Sequence, residues 1–142
     1  MGATTASARS GDLELTIAVA GTTLRVALAN VGDAGLRAYF AAMSAAGPHH
    51  DHLVVELAGG SGGRTLRFTG DRDASTIGIV DLDPGEQVSD ELDLAAWALQ
   101  PINGSEPLWP GAYELTATYK VDVPGAWAGD LSAGPVDLIV QV

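Results

Sequence analysis

Hydrophobic and polar residues alternate along most of the chain, with the two-residue period of a β-strand that has one buried face. The clearest alternating runs are residues 13–19, 24–28, 53–57, 113–119 and 136–142. No apolar pattern with the 3.6-residue period of a helix extends beyond two turns. The pattern therefore predicts an all-β protein in which many short strands point apolar side chains inward.

Turn-forming residues separate these runs. Gly21-Thr22 predicts a hairpin, and Pro84-Gly85 and Pro110-Gly111 predict tight turns. Shorter strands are expected at residues 36–40, 66–68 and 77–82, a helical turn or widened loop at 41–47, and one helical turn at 94–99. Turns at regular spacing favour an antiparallel β-sandwich of about seven to nine strands. Residues 12–142 are expected to form a single domain, and the small, polar residues 1–11 a flexible N-terminal tail.

Length and composition agree with one folded core. The chain has 142 residues, of which 46% are hydrophobic, too many for a disordered protein of this charge. It contains no cysteine, which excludes disulfides and thiolate metal sites. No basic and apolar leader opens the chain and no apolar stretch is long enough to cross a membrane, so a cytoplasmic location is expected if the chain is complete.

Charge restricts the choice of partners. Eighteen acidic residues against seven basic ones give a net charge of −11, and the basic residues are scattered along the chain. A protein that binds nucleic acid or anionic lipid needs a basic surface to neutralise phosphates. We therefore predict no nucleic-acid partner and no membrane partner, and favour cations or basic proteins.

Three turn segments resemble those of bacterial Ig-like modules. Residues 28–33 (LANVGD) resemble an LxNxGD strand end, 82–86 (LDPGE) an LxPGE turn, and 109–115 (WPGAYEL) an xxPGxYxL strand entry. The same order of motifs occurs in the intracellular proteinase inhibitor family of bacilli. The resemblance implies an Ig-like β-sandwich, but no position here matches a reactive-site residue of that family. Tyr113 is expected to form a tyrosine corner, with a core ring and a hydroxyl bonded to a loop backbone group.

Candidate metal ligands come from two residue types. In an extended chain His50 and His52 share a face and could bind a zinc, nickel or copper ion, although a solvated polar loop is the simpler interpretation. Acidic groups at residues 71–73, 81–86 and 90–93 form either a solvated face or a loop calcium site, without EF-hand spacing. We predict no dedicated cofactor, with loop calcium or adventitious zinc as the alternatives.

Catalytic machinery is not expected. Residues 59–63 match G-x-S-x-G, yet no helix is predicted after them and all three histidines precede Ser61. The sequence supplies no nucleophile with an ordered base, so we predict no catalytic residue and no enzyme.

The candidate partner-binding residues are Trp109, Trp127 and Tyr39, because Trp109 and Trp127 lie in loops rich in proline and glycine. We expect a non-enzymatic protein-binding or structural accessory module. A proteinase inhibitor using loop 41–52 or 100–111, and a carbohydrate-binding module using the two loop tryptophans, remain as alternatives. The apolar alternation of residues 136–142 also predicts an edge strand that could pair with a second copy of the chain.

Overall fold

The computed structural model describes residues 4–39, 41–44, 47–49, 53–59, 63–67, 79–99, 104–121, 127 and 129–141. Within these ranges the chain forms twelve β-strands and one short helix. The strands are β1 (Thr5–Ser10), β2 (Leu13–Ala20), β3 (Thr23–Asn30), β4 (Leu36–Tyr39), β5 (Ala41–Ser44), β6 (Gly47–His49), β7 (Leu53–Gly59), β8 (Arg64–Arg67), β9 (Ile79–Leu82), β10 (Gln87–Asp93), β11 (Gly111–Val121) and β12 (Gly129–Val140). The helix, α1, spans Leu94–Ala98.

Two four-stranded antiparallel sheets make up most of the fold. The first has the strand order β1-β2-β3-β10 and the second the order β12-β11-β7-β8. Strands β1 and β2 lie against β12, so the two sheets meet along that side. The pairs β4-β9 and β5-β6 form two further antiparallel ribbons. The all-β antiparallel sandwich expected from the alternating pattern is confirmed.

The core lies between the two sheets and is built by the alternating residues. The first sheet contributes the buried side chains of Leu13, Leu15, Ile17, Leu24, Val26, Leu28 and Leu92, and the second those of Val55, Leu57, Leu66, Tyr113, Leu115, Ala117, Tyr119, Leu131, Ala133, Val136, Leu138 and Val140. Burying one large aliphatic side chain stabilises a fold by roughly 1.5–3 kcal/mol. Burial of the apolar side chains that recur at every second position is therefore the main source of stability.

Thr5–Ser10 forms strand β1, so this part of the chain is not the flexible tail expected over residues 1–11. The strand pairs with β2 along its whole length, from Thr5 opposite Ala18 to Ser10 opposite Leu13. Ala6 and Ala8 pack partly buried against the core. Residues this small gave no clear apolar pattern, and the backbone ladder to β2 supplies the order that the side chains do not indicate.

Two local expectations have different outcomes. At residues 41–47 a helical turn or widened loop was expected, but β5 and β6 pair there as a ribbon. At residues 94–99 the expected helical turn is present as α1, and the Asp93 carboxylate caps it by accepting the backbone N–H groups of Ala95 and Ala96 at 3.1 and 3.3 Å. The cap and the burial of Leu94 stabilise a helix too short to form alone.

Strand β12 uses its apolar face inside the molecule. Val136, Leu138 and Val140 are buried in the core, so this face is not available to a second copy of the chain. The outward side chains at this end of the strand are Asp137, half-buried, and Ile139, exposed. β12 is one of the two edge strands of its sheet as described, and pairing through its backbone stays a prediction.

Asn30 connects two of the turn motifs. Its side chain is fully buried and donates to the carbonyls of Ala34 and Leu82 at 2.7 and 2.9 Å, and accepts the N–H of Gly32 at 2.9 Å. Its backbone carbonyl accepts the N–H of Gly85 at 2.9 Å. The turn that ends β3 and the turn between β9 and β10 are thus one hydrogen-bonded unit.

Candidate functional site

One end of the sandwich, the α1 end, is formed by the helix, the Gly21-Thr22 turn, residues 104–110 and the last residues of β12. The N–H of Leu94 donates to the carbonyl of Thr22 at 3.0 Å, which joins the helix to the hairpin turn. Gly111 begins β11 opposite Val140, so residues 104–110 and the end of β12 lie at this end as well. Four segments distant in sequence therefore meet at the α1 end.

An apolar groove of about 450 Å³ opens at the α1 end. Its apolar lining comes from Ala95, Leu99, Pro107, Leu108, Ile139 and Val140. Leu99 and Ile139 are 54% and 57% exposed, and Trp109, which directly follows Leu108, is 47% exposed. Of the residues that the structure describes, these three are the exposed large hydrophobic ones. Their gathering at one end indicates an interaction surface, because such side chains are normally scattered singly.

Arg64 at the start of β8 holds one wall of the groove. Its Nη1 donates to the carbonyls of Glu106 and Pro107 at 3.1 and 2.9 Å, and its Nη2 donates to the carbonyl of Ala98 at 3.2 Å. Ala98 is the last residue of α1, where carbonyls lack helical partners and carry the negative end of the helix dipole. One planar guanidinium therefore fixes the loop and the helix relative to each other.

Tyr113 anchors the end of residues 104–110 that is nearest to β11. Its ring is buried, and its hydroxyl donates to the carbonyl of Trp109 at 2.7 Å, as the tyrosine-corner prediction expects. The side chain of Leu108 is also buried, at 8% exposure. The backbone of residues 106–109 is consequently anchored at several points while the ring of Trp109 stays exposed.

The outer face of the second sheet continues from the groove, and the part of it that follows the groove carries three acidic side chains. Ile139 and Asp137 share this face of β12, and Glu114 of β11 lies directly opposite Asp137. Two shallow depressions of about 350 and 510 Å³ follow the face, the first lined partly by Asp137 and Glu114, the second partly by Glu114 and Glu56. Three carboxylates therefore follow one another away from the apolar groove, with Asp137 nearest to it and Glu56 farthest.

Trp127 and Tyr39 lie at the opposite end of the sandwich from Trp109. The N–H of Trp127 donates to the carbonyl of Arg37 in β4, the strand that ends at Tyr39, at 2.8 Å. The ring of Trp127 is half-buried, 6.0 Å from the ring of Tyr119. The two tryptophans contact different parts of β11: the Trp109 carbonyl is bonded to Tyr113, and the Trp127 ring lies beside Tyr119, six residues or about 20 Å farther along the strand. The structure does not bring the three predicted partner-binding residues together, and only Trp109 lies beside the groove.

The predicted histidine site at His50 and His52 lies outside the described residues, as do Asp71 and Asp73. Metal binding at these positions therefore stays a prediction. No helix in the described part of the chain is long and apolar enough to cross a membrane.

Several of the remaining acids have structural partners. Asp81 forms an exposed ion pair with Arg37 at 3.0 Å, and Glu86 accepts the backbone N–H of Asp83 at 2.8 Å. Asp93 caps α1. Within the described ranges no three His, Cys, Asp or Glu side chains are placed to hold a metal ion.

Comparison of the chain with protein-family models, curated proteins and solved structures gave no match. The candidate site is therefore identified from the geometry of the described residues alone. The sequence did not reveal two of its residues, Leu99 and Ile139. Ile139 had a detectable signal, because it is apolar at an outward position of an alternating strand, whereas the exposure of Leu99 depends on how α1 packs.

Proposed function

We propose that this chain is a non-enzymatic protein-binding module and that the groove at the α1 end is its docking surface. The observation that carries the proposal is the exposure of Leu99 and Ile139 in the lining of one concave apolar site, with the exposed Trp109 next in sequence to Leu108 of the same lining. Protein interfaces concentrate their binding energy in a few buried anchors, and tryptophan is among the residue types most enriched there.

The anchored loop supports this role energetically. Residues 106–109 are held by Arg64 and Tyr113 through hydrogen bonds to three carbonyls. A surface already held in one conformation loses little conformational entropy on binding. The resemblance of the turn motifs to bacterial Ig-like modules also favours a rigid sandwich that presents loops to a partner.

The test is a quantitative pull-down with matched variants. The variant Leu99→Ser/Ile139→Ser removes two apolar side chains that are exposed in the free protein, so the fold is preserved. The control Ala34→Ser/Gln87→Ser alters two exposed positions at the opposite end. We expect a protein from the native source to be retained by the wild type and the control and lost with the groove variant. A partner retained equally by all three would contradict the proposal.

A proteinase inhibitor is a second candidate, favoured by the same loop. Inhibitory loops enter an enzyme cleft in a fixed conformation, and residues 104–107 and 109–110 are exposed on a backbone anchored from below. Titration of the folded protein against a panel of bacterial serine proteases tests this role. Inhibition that is lost on cleavage between residues 104 and 110 would support it, and the absence of inhibition would remove it.

A further inference from the structure

We infer that the partner segment seated on this surface is an extended, basic stretch of polypeptide with one bulky apolar side chain at one end. The inference rests on the proposed function and names the chemistry of the partner. The apolar side chain would occupy the groove at the α1 end, and lysine or arginine residues would follow along the outer face of the second sheet.

The groove and the acidic face form one continuous track. Ile139 lines the groove, and Ala112, directly opposite it on β11, lines the neighbouring depression together with Glu114 and Asp137. Glu114 also lines the second depression, the one of about 510 Å³, which extends to Glu56 on β7. Arg64 lines this depression too, but its guanidinium donates to the carbonyls of Ala98, Glu106 and Pro107. A chain leaving the groove along this track meets the carboxylates in succession.

The charges on the track call for a basic partner. Asp137 and Glu114 are directly opposite each other, and Glu56 is diagonal to Glu114 because its own partner on β11 is Thr116. Like charges in such cross-strand pairs repel one another. Cationic side chains of a partner would relieve this repulsion, whereas a second copy of a chain with net charge −11 would add to it.

The dimensions of the track set the length of the segment. From Ile139 to Glu56 the path crosses two strand spacings and about four residues along β11, which is roughly 17 Å. An extended polypeptide covers this distance with about five residues. Alternate side chains of such a segment point to the same side, so lysines at every second position would face the sheet.

The experiment uses fluorescein-labelled six-residue peptides and the intact protein. One peptide has phenylalanine followed by alternating serine and lysine, so that the lysines at positions three and five share the side of the phenylalanine. A second peptide has the reverse order, and matched peptides replace lysine with glutamate or phenylalanine with serine. Fluorescence anisotropy measures each Kd. We expect one of the two lysine peptides to bind about tenfold more tightly than its glutamate and serine counterparts, and to weaken as salt rises.

Matched protein variants locate the binding. Glu114→Gln/Asp137→Asn removes two charges from the track, and Glu14→Gln/Asp33→Asn removes the same two charges elsewhere. The track variant should raise the Kd of the lysine peptide about fivefold and reduce its salt dependence, while the control stays close to the wild type. Leu99→Ser/Ile139→Ser should also raise the Kd, because the apolar anchor loses its site.

Three results would overturn the inference. The first is equal affinity for the lysine and glutamate peptides. In that case the inferred basic chemistry is wrong, but the proposed docking surface is still supported if Leu99→Ser/Ile139→Ser abolishes retention of the partner in the pull-down. The second is an unchanged Kd in the track variant. The third is concentration-dependent dimerisation that Ile139→Ser abolishes, which would make a second copy the occupant.

Discussion

At the scale of single residues, Asn30 shows why a polar side chain belongs in this core. It is the buried polar residue among the positions whose burial the structure describes, and its amide serves two carbonyls and one N–H group from the two turns it joins. A buried carbonyl that loses its partner costs about 1–3 kcal/mol. The asparagine therefore stabilises the two turns mainly because its amide keeps their buried carbonyls hydrogen-bonded.

We expect Asn30→Ala to lower the free energy of unfolding by about 2–4 kcal/mol, because it leaves the carbonyls of Ala34 and Leu82 without their donor. Asn30→Asp should be at least as harmful, since an ionised carboxylate cannot donate to a carbonyl. Urea denaturation measures both. The exposed neighbour Asp33 provides the control: Asp33→Ala should change stability by less than about 0.5 kcal/mol. A harmless Asn30→Ala would mean that water satisfies these carbonyls.

Arg64 plays the corresponding role at the α1 end. Arg64→Gln should lower the free energy of unfolding by about 1–2 kcal/mol, because the carbonyls of Ala98, Glu106 and Pro107 lose their donor. It should also weaken partner binding, because the residues that line the groove are then held less firmly. Arg25→Gln removes the same charge from an exposed arginine bonded to the Ser89 hydroxyl at 3.5 Å, and should change both quantities little. If the two variants behave alike, the guanidinium does not hold the loop.

At the scale of elements, β12 shows how an edge strand is shaped by glycine and proline. Its register against β11 shifts between Leu115 and Ala117, so that Gly134 and Pro135 both lie opposite Thr116 in a bulge. Proline is tolerated here because an edge strand can lack one backbone donor. Gly134 has a φ of +131°, and an added Cβ would lie 2.6 Å from the carbonyl oxygen of Leu115.

Gly134→Ala should therefore destabilise the protein by more than about 2 kcal/mol, through both the positive φ and the backbone clash. Gly35→Ala is the matched control, because a Cβ there meets nothing within 4 Å and its φ is not in the positive range. The control should be neutral or stabilising by up to about 1 kcal/mol. Thermal denaturation of the two variants compares them, and equal melting temperatures would show that the bulge adapts.

The elements that sequence could predict are those with large apolar residues at every second position. Strands β2, β3, β7, β11 and β12 all have this pattern, and their inward faces are the ones expected. The sequence predicts a helical turn or a widened loop where β5 and β6 form a ribbon, because alanine and serine give no distinct period. Strand β1 was missed for a similar reason: hydrogen bonds to β2, which a local pattern does not contain, hold it in place.

At the scale of the whole molecule, the candidate site depends on contacts between distant segments. The segments 94–99, 100–111 and 136–142 are each singled out by the sequence, but the meeting of their described residues at one end follows from strand register and from the Arg64 hydrogen bonds across 34 to 43 residues. Trp109 and Trp127 looked alike in sequence, with proline and glycine nearby, yet β11 places them at opposite ends. Local chemistry identified candidate side chains, and only the topology decided which of them share a surface.

The surplus of acid also acts on the whole molecule. A net charge of −11 favours solubility and attracts basic partners, and it makes any such association sensitive to salt. The large apolar side chains that are exposed on the described part of this acidic surface all lie at the α1 end. In the proposed interaction, the apolar groove would supply binding energy and the neighbouring carboxylates would select a basic partner.

Hydrogen exchange of the protein, free and bound to the partner captured in the pull-down, tests the central claim most directly. If the groove is the docking surface, exchange should slow at the amides of residues 95–99, 108–109 and 139–141. Protection confined to residues 36–39, 79–82 and 127, at the opposite end of the sandwich, would contradict the account.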